Sequence, residues 1–403
     1  MRFHNVSTAV LVLSIFTGCS KTVDVKQTED NESNNPYVVW ENGPSHNIDF
    51  FPIAVWLQNP SKAGQYLHAG INTYVGLWQG PTESQLVELK KAGMKVICDQ
   101  NTVGLNHIDD PVIIAWMHGD EPDNAQSLGE GQGYGPPITP QQIVQDYEKI
   151  RQKDPSRPVL LNLGQGVAWD QWYGRGVRTN HPEDYPEYLK GCDICSFDIY
   201  PVVHSSPAVA GKLYYVAEGV QRLVTWSEGA KIVWNCIECT RINNPTAKPT
   251  PYQVRSEVWM SIIHGSMGLI YFVHEWEPVF NESALLSDPE MLSAVTDINE
   301  QITRFAPVLN SPTIEETATV SSDNKNIPVA ALVKRYVDSL YLFAAGMRDG
   351  GTVATFSLEG FENQRTIEVI DEDRTIIMEN GTFKDQFKPY EVHIYRVKEK
   401  VTK

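Results

Sequence analysis

The chain has 403 residues, 41% of them hydrophobic, enough to fill a barrel of about 250–300 residues and a smaller second unit. Its formal charge of −17, without a basic cluster, excludes a nucleic-acid partner, because phosphate binding needs lysine and arginine to displace counterions. The acidic balance reads as solubility and says nothing of a substrate's charge.

In chain order, residues 1–19 form a targeting segment: Arg2, an apolar run at 9–16, then the small Thr17 and Gly18 before Cys19. The run is too short to span a bilayer, so it reads as a cleaved signal. Phe16-Thr17-Gly18-Cys19 resembles a bacterial lipobox, with Phe16 where that pattern prefers leucine. The resemblance implies that Cys19 is lipidated and that the protein is exported and anchored to a bacterial membrane, on the periplasmic or surface face of the outer membrane. Plain secretion is the alternative. Residues 20–47 are a tether and lead-in, opening with a polar, charged stretch that is expected to be disordered.

From residue 48 strand-like and helix-like segments alternate. Strands are predicted at 51–58, 72–78, 94–100, 112–118, 158–163, 193–200, 231–238 and 268–276. Helices are predicted at 62–69, 83–92, 140–153, 183–189, 212–228, 251–264 and 290–305, with a short connection after the third strand. Such alternation leaves a parallel barrel or a doubly wound sheet. The count of eight strands, and the lack of a glycine-rich dinucleotide fingerprint after the first, favour an α/β class (β/α)8 TIM barrel over residues 48–309. From about residue 311 the pattern changes to short alternating runs at 317–320, 329–337, 339–345, 352–357, 365–370, 375–378 and 390–396. Turn signals such as Asp349-Gly350-Gly351 and Asn380-Gly381 separate them, so residues 310–403 read as a small C-terminal antiparallel β-sandwich.

Cys192-x-x-Cys195 and Cys236-x-x-Cys239 have the spacing of a zinc ribbon. Each pair lies in or at the end of a strand, where residues three apart point to opposite faces, so these thiols are expected to be buried apolar side chains and not metal ligands. No cofactor is implied.

Active sites of such barrels are built at the C-terminal ends of the strands. WMHGDEP at 116–122 brings strand four to Glu121, and IVWNCIECTR at 232–241 brings strand seven to Glu238. In a closed barrel these carboxylates are expected to face one another across a cleft, as retaining glycoside hydrolysis requires. Trp56, Trp78, Asp120, Asp198, Tyr200, Asn235, His274 and Trp276 also fall at strand ends and are expected to hold substrate, the tryptophans by stacking on sugar rings. In SFDIYP the alternation of Ser196, Asp198 and Tyr200 turns these polar groups to one face, which makes Asp198 the leading alternative carboxylate. Both glutamates have structural alternatives: Glu121 as an acid at the start of a helix opened by Pro122, and Glu238 in a salt bridge to Arg241.

On these residues, over 48–309, the chain resembles the retaining glycoside hydrolases of clan A, whose acid/base glutamate ends strand four and whose nucleophile ends strand seven. The resemblance implies that Glu121 is the acid/base and Glu238 the nucleophile. Tyr200 and Trp276 match the aromatic groups these enzymes carry after strands six and eight. Asp120 departs from the pattern, which has an asparagine there to hold the sugar 2-hydroxyl. The implied activity is hydrolysis of a poly- or oligosaccharide with retention, through a glycosyl-enzyme intermediate. The loops at 129–140 and 164–182 are expected to set where chains are cut. One alternative is a noncatalytic glycan-binding surface lipoprotein on a degenerate barrel. Another is a glycosidase, fucanase- or galactanase-like, that uses Asp198 as one catalytic carboxylate. The expected partners are a carbohydrate and, through the lipid anchor alone, a membrane.

Overall fold

The computed structural model describes residues 35–314 and 317–399; the targeting segment with Cys19 lies outside the described residues. Nine parallel strands form one sheet: β1 (Ile53–Trp56), β2 (Thr73–Val75), β3 (Lys95–Asp99), β4 (Ile113–Met117), β5 (Val159–Leu163), β6 (Ile194–Phe197), β7 (Ile232–Val233), β8 (Asn235–Glu238) and β9 (Leu269–Phe272). They run in the order β7-β6-β5-β4-β3-β2-β1-β9-β8. The predicted seventh strand is therefore two pieces separated by Trp234, the lower half pairing with β6 and the upper half with β9. That break closes the barrel and leaves a seam above Val233, where β8 has no strand partner toward β6.

The intervening helices start where side chains can satisfy their free amides. Thr82 and Gln85 form a capping box on α2 (Glu83–Ala92), after the short α1 (Ala63–His68). The connection after β3 is a brief helix, α3 (Thr102–Asn106), capped by Asn101. Thr139 caps α4 (Pro140–Lys153), and α5 (Tyr185–Tyr188) and α6 (Tyr214–Trp226) follow. Thr250 and Gln253 box the start of α7 (Pro251–Ile263), and Asp288 caps α8 (Pro289–Leu309). Proline stands at the first turn of α4, α7 and α8, where its missing N–H is no loss.

Alternate strand residues divide between two cores. Ile53, Val55, Val96, Leu161, Phe197 and Ile237 face the helices, while Ala54, Val75, Ile97, Ala115, Leu160, Trp234, Cys236 and Ile270 fill the lumen. Tyr37, from a 3-10 turn at Pro36–Val39, closes the floor: its hydroxyl donates to the Met267 carbonyl and accepts from the Trp234 indole at 2.8 Å.

Beyond α8 the chain makes two antiparallel sheets. One holds β10 (Ala318–Ser322), β13 (Thr352–Leu358) and β16 (Thr382–Phe387). The other holds β11 (Val329–Tyr336), β12 (Ser339–Gly346), β17 (Val392–Lys398), β14 (Arg365–Val369) and β15 (Arg374–Met378), in that order. The two sheets share an apolar core of Leu342, Phe356, Ile367, Phe383 and Tyr395. Strand β16 was not predicted, because Asp385 interrupts its buried face, Phe383 to Phe387; Arg374 and Tyr395 partner that carboxylate. The sheets join the barrel at α7, where Trp259 stacks on Phe343 with ring centroids 5.3 Å apart and Tyr252 donates to the Pro389 carbonyl.

The cysteine expectation needs one correction. Cys236 turns into the lumen and Cys239 to the helix side, as alternation requires. Cys192, however, precedes β6, and its thiol lies beside that of Cys195 on the same side of the sheet. Among the described residues no His/Cys/Asp/Glu group has the arrangement of a metal site.

Candidate active site

Strand β5 is the spine of the site. The amide of Glu121, just past β4, donates to the Asn162 carbonyl, and the amide of Asp198, just past β6, donates to the Leu163 carbonyl. Both acids are thus hung from adjacent positions of the strand between them. Gly164 follows, and its lack of a side chain matters: a Cβ there would lie 2.9 Å from Glu121 Oε1 and 2.8 Å from Asn124. Glu121 also holds φ at 42°, a left-handed conformation that is strained for a residue of this kind and that clusters at functional sites.

The carboxyls of Glu121 and Asp198 come within hydrogen-bonding reach of each other. Two carboxylates cannot both ionise at that separation, so they share a proton. Burial, and then the Asp198 charge, hold Glu121 well above the usual carboxylate range. Burial lifts Asp198 to about 7, against the proton it receives from Glu121. Asp198 Oδ1 is buried and takes no donor among the described residues, so it is open to a hydroxyl or a shared proton. Tyr200 is buried beside Asp198.

Below the pair, Asn162 organises a polar layer. It donates to Asp120 Oδ1 at 2.9 Å and accepts from Ser196 at 2.7 Å. Asp120 itself stands exposed at the rim. Asp123 is wholly buried: its oxygens accept from the Gly164 amide at 2.9 Å and the Tyr185 hydroxyl at 3.0 Å, with Arg175 at 3.9 Å. It ties the loop after β4 to the loop after β5. No helix begins at Pro122, so the reading of Glu121 as a helix-terminal acid is set aside; a turn follows, and the next helix is α4.

Glu238 lies elsewhere than expected. It is fully buried, and its two oxygens accept from the Val202 and Val203 amides at 2.6 and 3.1 Å. Those amides belong to the chain leaving β6, so Glu238 bridges the seam that β8 leaves open. Its carboxyl neighbour is Glu257 of α7, equally buried, whose own oxygens have no other partner among the described residues. Burial raises Glu238 to about 8, and burial together with the Glu238 charge holds Glu257 well above the usual carboxylate range. The structure therefore pairs Glu238 with Glu257 and pairs Glu121 with Asp198. Arg241, the salt-bridge partner considered for Glu238, instead reaches the Pro245 carbonyl.

The remaining expected contacts divide. Trp78 (70% exposed) and Trp276 (46% exposed) stand at the rim. Trp56 is buried in the lumen. Asn235 points away from the cleft, donating to Ser261 of α7 at 2.7 Å, because it shares its strand face with Ile237. His274 is buried, stacked under Trp276 and backed by Gln58; burial lowers it to about 4, so it is neutral. The sequence reading had named the 164–182 loop without its residues. Trp172 of that loop donates to Asn124 at 2.9 Å, beside Glu121, and packs with Trp169, Tyr173 and His204.

No family model matches the chain, and no curated protein matches it by sequence. Solved structures match it by shape. AmyP in complex with maltose aligns at 8% identity and a TM-score of 0.51, over 88% of this chain and 98% of that one. The maltogenic α-amylase AmyB from Thermotoga neapolitana aligns at 9% and 0.51, over 88% and 100%. The acarbose-bound α-amylase from Geobacillus thermoleovorans aligns at 11% and 0.50, over 88% and 99%. At such identities the likeness is one of fold: the chain resembles barrel glycoside hydrolases through its barrel and its C-terminal sheets together.

Proposed function

We propose that the protein is a glycoside hydrolase whose catalytic carboxyls are Glu121 and Asp198. The observation that carries this reading is that those two acids hang from adjacent positions of β5 at the C-terminal ends of β4 and β6, half-buried at the mouth, with each raised by burial and coupled to the other. The fold likeness to enzymes bound to maltose and acarbose supports it. Breaking an acetal needs a proton on the leaving oxygen and a negative group near the anomeric carbon as positive charge grows there. Glu121, which keeps the proton longer, is the general acid, and Asp198 the carboxylate. In the two-step route Asp198 attacks the anomeric carbon while Glu121 protonates the departing oxygen. Glu121 then takes a proton from a water whose oxygen attacks the anomeric carbon, and the bond from that carbon to Asp198 breaks, leaving Asp198 a carboxylate and Glu121 protonated again. Retention needs carboxyls about 5–5.5 Å apart and inversion about 6.5–9.5 Å, so a pair that starts in contact reaches the retaining geometry with the smaller movement. Glu238, expected as nucleophile, has both oxygens committed to backbone amides and takes no part in this scheme. The lipobox-like segment adds that the enzyme works outside the cytoplasm, anchored through Cys19.

The test is a screen of polysaccharides for released reducing ends, with the first anomer followed by NMR. Wild type is expected to release a sugar with retained configuration, and Glu121→Gln and Asp198→Asn each to slow release at least about 10²-fold. A glycan bound tightly by wild type and cut by neither wild type nor variants would make the protein a binder, not a hydrolase.

A further inference from the structure

Two aromatic walls rise from the mouth, and each leads to one member of the carboxyl pair. On the β5 side, Trp172 touches Asn124, which lies with Glu121 over Gly164; Tyr173, its ring 4.6 Å from Trp172, is 69% exposed. On the β9 side, Tyr200 beside Asp198 packs on Phe272 at 5.2 Å, and Phe272 stacks on Trp276 at 5.6 Å and 21°. Trp276 in turn meets Phe280, which is 58% exposed. In the ring of strands β6, β7 and β8 separate the two walls. Exposed aromatic faces of this extent are stable in water when a ligand with apolar flanks covers them, and a sugar ring has such flanks.

The charges of the mouth select among sugars. Asp99 and Asp120 stand at its strand ends, and the Glu121–Asp198 pair, sharing a proton, adds one negative charge. Of the cations of the surrounding loops, Arg175 and Arg178 pair with Asp184 and Lys248 with Asp288, while Arg241 and Lys212 reach only backbone carbonyls. His204 and His274 are neutral through burial. A sulfated or uronic-acid polymer brings a negative charge per unit into a mouth whose strand ends are acidic, which disfavours it against a neutral one.

We propose that the mouth holds a neutral glycan chain across the Glu121–Asp198 pair, stacked on Trp172 on one side and Trp276 on the other, and that the chain is cut internally. This rests on the hydrolase reading for the cutting, and on the walls and charges alone for the binding.

Binding is therefore measured apart from turnover. Glu121→Gln protein is titrated calorimetrically with neutral gluco-, galacto-, xylo- and manno-oligosaccharides from disaccharide to octasaccharide, and with sulfated fucan and polygalacturonate. Affinity is expected to climb with length in a neutral series. Trp172→Ala and Trp276→Ala, each added to this background, should lose about tenfold on the longest member and less on the disaccharide. Wild type on that polymer should release mid-sized fragments first. No binding in any neutral series, an unchanged affinity in either tryptophan variant, tighter binding of a polyanion, or release of mono- or disaccharide from chain ends alone would overturn the proposal. Length-dependent, tryptophan-dependent binding without turnover by wild type removes the hydrolase reading and the internal cut with it, leaving the binding site. Turnover from chain ends removes the internal cut and leaves the hydrolase.

Discussion

The Glu121–Asp198 pair and the Glu238–Glu257 pair occupy one barrel, and in both pairs burial holds protons above the usual carboxylate range. Their surroundings differ. The first pair is half-buried at the mouth, has an unpartnered oxygen on Asp198 and sits against a glycine that keeps it uncrowded. The second is sealed between strand and helix, with both oxygens of Glu238 taken by amides. An elevated carboxyl pKa is thus a sign of burial, and accessible, uncommitted oxygens are what separate a group fit for chemistry from one fit for holding chain.

The comparison breaks most sharply at the first pair. Glu121→Gln should lower turnover about 10²–10⁴-fold with stability little changed. Turnover by wild type should climb as pH rises through about 7, where Asp198 becomes the carboxylate, and fall again when Glu121 gives up its proton. A pH–rate profile without the lower limb, or a Glu121→Gln enzyme of normal rate, would take this pair out of the chemistry.

Next in size is the effect at the seam. Glu238→Ala orphans the Val202 and Val203 amides and opens a cavity, so denaturant unfolding should show a loss of about 2–5 kcal/mol. A variant that keeps full stability while losing all turnover would restore Glu238 to a catalytic role.

Gly164→Ala should act in the opposite sense. Its Cβ displaces the Glu121 carboxyl, so kcat should fall about 10²-fold while the midpoint of unfolding moves little.

The smallest effect is a pH slope. Because Glu238 and Glu257 are raised, the folded chain keeps protons that the unfolded chain releases, and stability contributed here falls as pH rises from 4.5 through about 8. Glu257→Gln should flatten that fall, with a gain in stability at alkaline pH and little change in acid. An unchanged slope would mean that the two carboxyls do not share a proton.

The strand and helix rhythm of the barrel was legible because its signals are local. Glu83–Ala92 and Pro140–Lys153 begin and end where caps and prolines stand in the sequence. Asp198 and its phase were legible for the same reason, as period two over six residues. The side on which Glu238 works was not. It depends on the strand breaking at Trp234 and on the chain after β6 bringing two amides across the gap, both long-range facts. Asn235 and His274 were placed by strand-end position alone, which does not say which way a side chain turns. The β5 loop carried its signal as composition, Trp169, Trp172 and Tyr173 in five residues, but nothing local tied those rings to Glu121.

Tyr37 fixes which way the molecule faces. It anchors the first described turn beneath the lumen, at the pole opposite Glu121 and Asp198, and locks it there through Trp234 and Met267. Anything fastened at Asn35 is therefore fastened from underneath. A bead or a label fastened there leaves the aromatic-walled opening pointing outward, and long polymers can approach it unhindered.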